Sequence, residues 1–389
     1  MSNISQQDET AMLLEYMEQH LAFRHNEISN VYEFKTLEQE NFLPLTVQAL
    51  NSILIKMKED GLEIKSLKTN VEQFIYSDHS ARFNPATDYL GSLPAWDGHD
   101  RISELFYRLP GMNTELQGYA SKWVLSMVAH WMGMCQLHAN ELVLTLIGAQ
   151  ACGKSTFCAS LLPPSLRKYY MDNINLGNKF DKEMALTNNL LVNIDELDQV
   201  RASRQAELKQ TLSKFEVNGR PIFGRHQLVR PRFASFMATT NNRRPLNDPT
   251  GSRRFICIDI PEGMVIDNET AIEYDQLYAQ ALHELQVNNA RYWLNAQETS
   301  HLMKLNHDYQ KIGDVPEMVA TNFRMPETDE ECSPMMIADI ISHLKKVYPN
   351  LKTDAKLNVK VGVALRNLDY PRKLTKKGAV YQIVPLKAA

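Results

Sequence analysis

Residues 142–147, Leu142-Val143-Leu144-Thr145-Leu146-Ile147, run directly into Gly148-Ala149-Gln150-Ala151-Cys152-Gly153-Lys154-Ser155-Thr156. The first stretch reads as a buried strand. The second is the pattern G-x-x-x-x-G-K-[ST] at a strand-to-helix junction, the arrangement of a phosphate-binding loop. Gly148 and Gly153 let backbone N–H groups turn inward around a phosphate chain. The helix that starts at Lys154 adds the partial positive charge of its N-terminus. In this reading Gly148 to Thr156 cradle the triphosphate of ATP, Lys154 reaches its β- and γ-phosphates, and Ser155 holds Mg²⁺.

Working outward, 389 residues are enough for roughly two or three domains. Hydrophobic (44%) and charged (23%) contents are those of a globular chain. A net charge of −4 gives no overall attraction to nucleic acid, so any such binding must come from local basic patches. The first residues carry no basic stretch followed by an apolar one, and no signal peptide is expected. The longest apolar segment, 123–135, contains His130, is too short to cross a bilayer, and reads as a buried helix. The cysteines (Cys135, Cys152, Cys158, Cys257, Cys332) are odd in number and fall in no metal-ligand spacing, as expected of reduced thiols in a cytoplasmic protein.

Residues 1–80 read as a small α-rich region, with helices over 8–22, 46–59 and 66–76 and a short hairpin around 26–30. Residues 81–138 form a helical connector, punctuated by Pro94, Gly98, Pro110 and Gly111. Over 139–290 short β-rich runs (142–147, 190–194, 233–239, 254–260) alternate with polar or helical segments, which predicts an α/β core on a mostly parallel sheet. A helical extension and linker follow over 291–330. The tail, 331–389, reads helix, helix, strand–turn–strand, the order of a winged helix.

Three further motifs bear on chemistry. The strand Leu190-Leu191-Val192-Asn193-Ile194 ends in Asp195-Glu196. An acid at that place contacts the Mg²⁺ shell, and a following glutamate can deprotonate the attacking water; an acidic helix start after a core strand is the alternative. The run 233–240 ends at Asn241, whose amide can hold water beside the γ-phosphate, although asparagine is also an ordinary turn residue. Arg253 and Arg254 follow a Gly turn at a strand entrance. A guanidinium there suits transition-state charge on the γ-phosphoryl group and, offered by a neighbouring subunit, would couple hydrolysis to assembly; a surface salt bridge is the other reading.

Between these lies residues 220–232, with Arg220, Arg225, Arg230, Arg232, His226 and no acid. Gly224 and the prolines predict an exposed hairpin or loop that tracks a phosphate backbone, with Phe223 for base stacking, or else a merely solvated basic loop. Lys209, on an upstream helix, is a further candidate for the nucleotide or DNA site. In the tail, Lys376 and Lys377 form a basic wing beside a helix, an arrangement that binds duplex DNA or docks protein.

The order of these pieces resembles the virulence-associated protein E (VirE/VapE) family of P-loop ATPases, related to superfamily 3 helicases of phages and mobile elements. The resemblance rests on residues 83–90, Trp96-Asp97-Gly98 with Arg101, GAQACGKST, Phe180-Asp181-Lys182-Glu183, LLVNIDELD, Glu207-Leu208-Lys209, Arg220-Pro221 with 223–225, FMATTN and 248–255. It implies a AAA+-like core, Mg²⁺-dependent ATP hydrolysis, and a replicative helicase role on single-stranded or forked DNA as a homo-oligomeric, hexamer-type ring. It also implies that Lys154, Ser155, Asp195, Glu196, Asn241 and Arg254 carry the nucleotide chemistry. Phe223 departs from the family's frequent tyrosine. Residues 1–80 are too short for a primase and lack a paired-acid metal site, which leaves room for a separate primase partner. Two rivals stay open: a nucleotide-controlled DNA-binding regulator without unwinding activity, and a P-loop phosphotransferase.

Overall fold

The computed structural model describes residues 6–134, 138–200, 202–220, 226–246, 249–310, 315–327, 334–348, 351, 353–375 and 378–386. It divides into two units, Met1–Gln310 and Lys311–Ala389. The chain is mixed α/β with a parallel sheet at the centre of the first unit.

The first unit begins with α1 (Gln6–His20), β1 (Leu21–Asn26), β2 (Val31–Thr36), β3 (Leu43–Pro44), α2 (Val47–Glu59), α3 (Leu67–Ile75) and β4 (Ala81–Phe83). The expected helices are there, but an α-rich description is incomplete, because the four strands form one sheet in the order β3-β2-β1-β4. β4 returns from far along the chain to pair parallel with β1, a contact that local periodicity cannot announce. Arg24, on β1, lies against both the Phe42 and Phe83 rings, 4.0 and 3.5 Å from their centroids, and ties the late strand to the early one.

Next come α4 (Pro85–Gly91), α5 (Arg101–Tyr107) and α6 (Thr114–Trp131). Asn84, Asp100 and Asn113 cap these helices through their side-chain oxygens. α6 is buried on almost every side from Trp123 onward, as a central helix should be. Among the described residues no helix is long and apolar enough to cross a membrane.

The core then runs β5 (Val143–Ile147), α7 (Lys154–Ser160), β6 (Tyr170–Met171), α8 (Lys179–Asn188), β7 (Leu191–Ile194), α9 (Ala202–Ser213), β8 (Glu216–Gly219), β9 (Leu228–Pro231), β10 (Ser235–Thr240) and β11 (Phe255–Asp259), followed by α10 (Tyr274–Gln286) and α11 (Ala296–Leu305). Five strands form a parallel sheet in the order β11-β5-β10-β7-β6. Residues of β5, β7 and β10 are buried throughout, so these strands read as continuous apolar runs rather than alternating ones. β8 and β9 form a separate antiparallel hairpin.

Under the sheet's N-terminal edge lies a polar knot. Arg232, 0% exposed, donates to the carbonyls of Ala234, Leu212, Lys214 and Asn140 at 2.6–2.7 Å. His130 Nδ1 lies 3.0 Å from the Arg232 carbonyl, and His130 Nε2 accepts the Asn140 N–H at 2.7 Å, which fixes the neutral Nδ1–H tautomer. Trp123 donates to the Phe236 carbonyl beside it.

The Lys311–Ala389 unit contains α12 (Pro316–Asn322), β12 (Phe323–Arg324), β13 (Met335–Met336), α13 (Ile337–Val347), α14 (Ala355–Asn367), β14 (Arg372–Thr375), β15 (Gly378–Tyr381) and β16 (Val384–Pro385). Its own core gathers Val319, Phe323, Ile340, Leu344, Val361, Leu365 and Tyr381 against an antiparallel sheet in the order β13-β15-β14.

Burial, reinforced by Arg232, pushes His130 down to about 3 from an ordinary 6.5. The folded protein therefore refuses a proton that the unfolded chain accepts. The stabilisation from His130 is complete above pH 6.5 and is lost as pH falls towards 3. Between pH 6.5 and pH 5 that loss is about 2 kcal/mol. The urea midpoint should fall over this interval, and a His130→Asn variant should show a flatter profile.

Candidate functional site

Because the sheet is parallel, the loops leaving β5, β7 and β10 open on one edge, and the sequence motifs lie in those loops. The loop 148–153 starts from Gly148, whose N–H donates to the Thr240 carbonyl of neighbouring β10 at 3.1 Å. Ala151 (φ 62°) and Gly153 (φ 92°) take left-handed backbone, which makes the turn back into α7. A Cβ on Gly153 would lie 2.5 Å from Asn268 Nδ2, so only glycine fits there. Ala149, Gln150, Ala151, Ser155 and Thr156 are exposed, whereas Gly148 and Cys152 are buried.

Lys154 is only 8% exposed. Its ammonium donates to the carbonyls of Gly148 (2.8 Å) and Ala149 (2.7 Å) and to Asn241 Oδ1 (3.0 Å), with Cys152 Sγ at 3.7 Å. Lys154 and Asn241, far apart in sequence, therefore meet at adjacent strand ends. The end of β7 joins them through β10, where the Thr239 hydroxyl donates to Asp195 and the Thr240 hydroxyl donates to Asp198 at 2.6 Å. Asp195 and Glu196 are exposed and line a cleft of about 520 Å³ with Asn173, Asn175 and Gln199. Glu196 has φ 51°, an unfavourable conformation for a non-glycine residue, of a kind that clusters at active sites.

The arginine pair lies at the opposite edge. Arg254 immediately precedes β11, whose first residue pairs with Val143 at the start of β5. The length of β5 alone, at ~3.3 Å per residue, separates Arg254 from its own phosphate loop by about 15 Å. Arg254 is 8% exposed, faces Glu141 at 3.2 Å and donates to the Ser213 hydroxyl at 2.9 Å, while Arg253 is exposed. Burial, then the neighbouring Arg253, holds the Arg254 guanidinium below its ordinary range, against the pull of Glu141. Lys209, on α9, belongs to the same basic group: burial, then Arg254 and Arg253, lowers its ammonium.

The basic stretch 220–232 divides. The hairpin is present, and Arg220 is exposed where β8 ends. Arg230 is half-buried and pairs with Glu183 at 3.2 Å. Arg232 corrects the sequence reading: fully buried on four carbonyls, it holds the core together and has no surface to offer a phosphate backbone. Phe223, Arg225, Lys376 and Lys377 lie outside the described residues. Among the described residues no group of three or more His, Cys, Asp or Glu is gathered as for a metal ion.

Sequence reasoning missed the segment after β11. Ile266 N–H donates to the Cys152 carbonyl at 2.9 Å, and Asn268 Nδ2 donates to the Gly153 carbonyl at 3.0 Å. Arg108, from the connector, donates to the carbonyls of Thr270 and Ala271 and anchors this strap from outside. Its contacts to the phosphate loop run mainly through backbone atoms, so the only sequence signal was the glycine requirement at 153. The shared Trp96-Asp97-Gly98 and Arg101 are a clasp: Arg101 bridges Asp97 and Glu273, and fastens the connector to the start of α10.

The virulence-associated protein E-like domain matches residues 90–311, more than half of the sequence. The chain belongs to the virulence-associated protein E-like family. The A form apo structure of the NrS-1 C-terminal region is similar to this VapE-like chain at 11% identity, with a TM-score of 0.52 over 97% of this chain and 98% of that one. A second apo structure of that region gives 12% identity and a TM-score of 0.51 over 98% and 100%. The SCCmec type IV Cch active helicase gives 10% identity and a TM-score of 0.40 over 94% and 92%. No curated protein matches the sequence. The two NrS-1 likenesses concern the fold alone.

Asn268→Ala removes the strap's only side-chain bond to the phosphate loop among the described residues. Should this loop hold Mg·ATP, the dissociation constant should rise about 5- to 10-fold, the value of roughly 1 kcal/mol for one hydrogen bond. The thermal midpoint should stay close to wild type, because Asn268 is only partly buried. Equilibrium binding of a fluorescent ATP analogue checks the first, and thermal unfolding followed by circular dichroism checks the second.

Proposed function

We propose that this VapE-like chain is a AAA+-like, superfamily 3-type ATPase that hydrolyses Mg·ATP to move on single-stranded DNA as a homo-oligomeric ring. The observation that carries the reading is the distribution of charge over the two edges of one sheet. Lys154, Asn241, Asp195 and Glu196 gather at the C-terminal edge, and Arg253 and Arg254 stand at the other. A site completed by arginine in this way takes the arginine from another copy.

In this mechanism the phosphate oxygens take over the Lys154 ammonium from the Gly148 and Ala149 carbonyls, and the N–H groups of 149–155 supply the remaining donors. Ser155 and Asp195 are hard oxygen donors of the kind Mg²⁺ prefers, and both are exposed at the mouth of the loop. When bound, Mg²⁺ neutralises charge on the β- and γ-phosphates. Asn241, oriented by its contact with Lys154, positions the water. Glu196 takes the water's proton. Arg254 of one subunit meets the γ-phosphate of the next, with Arg253 and Lys209 beside it.

The β8–β9 hairpin with Arg220, together with Phe223 and Arg225 from the sequence between its strands, is the DNA-tracking element in this reading. The helices and antiparallel strands of the Lys311–Ala389 unit follow the order of a winged helix. A strand inserted between the phosphate-loop strand and the acid-bearing strand, here β10, supports the AAA+-like assignment.

Lys154→Ala and Arg254→Ala should each lower ATP turnover at least about 100-fold, on the scale of losing a transition-state charge partner. Mixing the two variants should restore part of the activity, because some interfaces then pair an intact loop with an intact arginine. Turnover that persists in pure Lys154→Ala protein would overturn the site, and failure of the mixture despite co-assembly would overturn the trans arrangement. Strand displacement on forked DNA, retained in wild type and absent in Glu196→Gln, separates a motor from a slow switch.

A further inference from the structure

The helix α14 buries one side and leaves the other to solvent. Leu357, Val361, Ala364 and Leu365 are buried, and at 100° per residue they share one face. The opposite stripe, about 120° wide by the same geometry, carries Lys356, Val359, Lys360, Val363, Arg366 and Asn367, all exposed. It has cations and no carboxylate. Asp354 is taken up as the helix N-cap, accepting from Leu357 N–H, and Asp369 follows the helix C-terminus, so the acids stand at the ends.

The middle of the stripe is apolar. Val359 is 66% exposed and Val363, one turn on, is 39% exposed. Valine is a poor helix former that gains nothing in water, so two of them between lysines match a surface with anionic rims and an apolar floor. The chain then enters the edge strand β14, where Arg372, Lys373, Leu374 and Thr375 are all exposed and Leu374 is 74% exposed.

We propose that α14 lies in the major groove of duplex DNA, with Lys356, Lys360 and Arg366 on the phosphate rims and Val359 and Val363 against thymine methyl groups. Arg372 and Lys373 add backbone contacts from β14. The B-form major groove is wide enough for a helix and displays those methyls. Single strands are gripped by stacking, and the stripe has no aromatic residue. Duplex RNA closes its major groove to side chains. The single-strand track proposed above belongs to the Met1–Gln310 unit, and this duplex site to the Lys311–Ala389 unit. It rests on the winged-helix reading of this unit and is independent of ATP hydrolysis.

The test uses the full-length chain and a labelled mixed-sequence duplex of about 30 base pairs, with one of its strands as control, by fluorescence anisotropy over a range of salt. Each phosphate contact contributes about −0.9 to the slope of log K against log salt. Lys356→Ala/Lys360→Ala/Arg366→Ala should weaken duplex binding at least 10-fold and flatten that slope by about 2 to 3, while single-strand affinity stays within about twofold. Val359→Asp, at an exposed position that folding tolerates, should also weaken the duplex complex. Wild-type duplex affinity and slope in both variants overturn the proposal, as does an equal loss on both DNA forms or a wild-type chain that binds no duplex. ATP turnover of wild-type protein, measured in parallel, reports on the motor reading alone. Its failure leaves the duplex result standing.

Discussion

Parallel pairing of five strands is the constraint from which the rest follows. A parallel sheet sends every strand's C-terminus to the same edge, and each loop that leaves it must turn back over a face of the sheet. Ile147, Ile194 and Thr240 therefore end side by side, although long stretches of sequence separate them. The same rule sends the residues that precede the strands to the far edge, and this is where Arg254 stands. The separation of the acidic and amide groups from the arginine pair is thus a consequence of topology.

A sheet buried on both faces has apolar strands, and its polar needs collect at the edges. At the N-terminal edge, Arg232 absorbs the carbonyls of Leu212 and Lys214 where α9 ends, of Ala234 before β10, and of Asn140 before β5. A guanidinium suits this because its fork of donors serves several acceptors in one plane. Removing it would strand buried carbonyls, each at a cost of about 1–3 kcal/mol. His130 and Trp123 extend the same network into α6. The central helix is thereby fixed by hydrogen bonds as well as by packing.

What could be read from the sequence was what is local. The apolar run before Gly148 and the one before Asp195 announce buried strands, and glycine spacing announces the tight turn from β5 into α7. The sheet of β1 to β4 was hidden because β4 pairs with β1 across more than fifty intervening residues, mostly through backbone, with Arg24 against the Phe83 ring as a side-chain contact. Arg232 was misread because its partners are backbone carbonyls, which every residue has and no sequence pattern marks. Beside Arg220, Arg225 and Arg230 it looked like one more exposed cation. Asn268 was invisible for the same reason, since it too bonds to backbone. Lys209 was read towards DNA, but its position beside Arg253 and Arg254 emerges only when α9 folds back on the start of β11.

Asn241 shows how structure gives weight to a weak signal. A strand-ending asparagine says little by itself. In the sheet, β10 stands between β5 and β7, so its end is the one place that touches both motifs. Thr239 bonds to Asp195, Thr240 bonds to Asp198 through its hydroxyl and to the Gly148 N–H through its carbonyl, and Asn241 takes the Lys154 ammonium. Three consecutive residues thus join the acid-bearing strand to the phosphate loop, with Thr239 and Thr240 each 2% exposed. With Thr239 and Thr240 buried, water is largely excluded around these two links, which strengthens them.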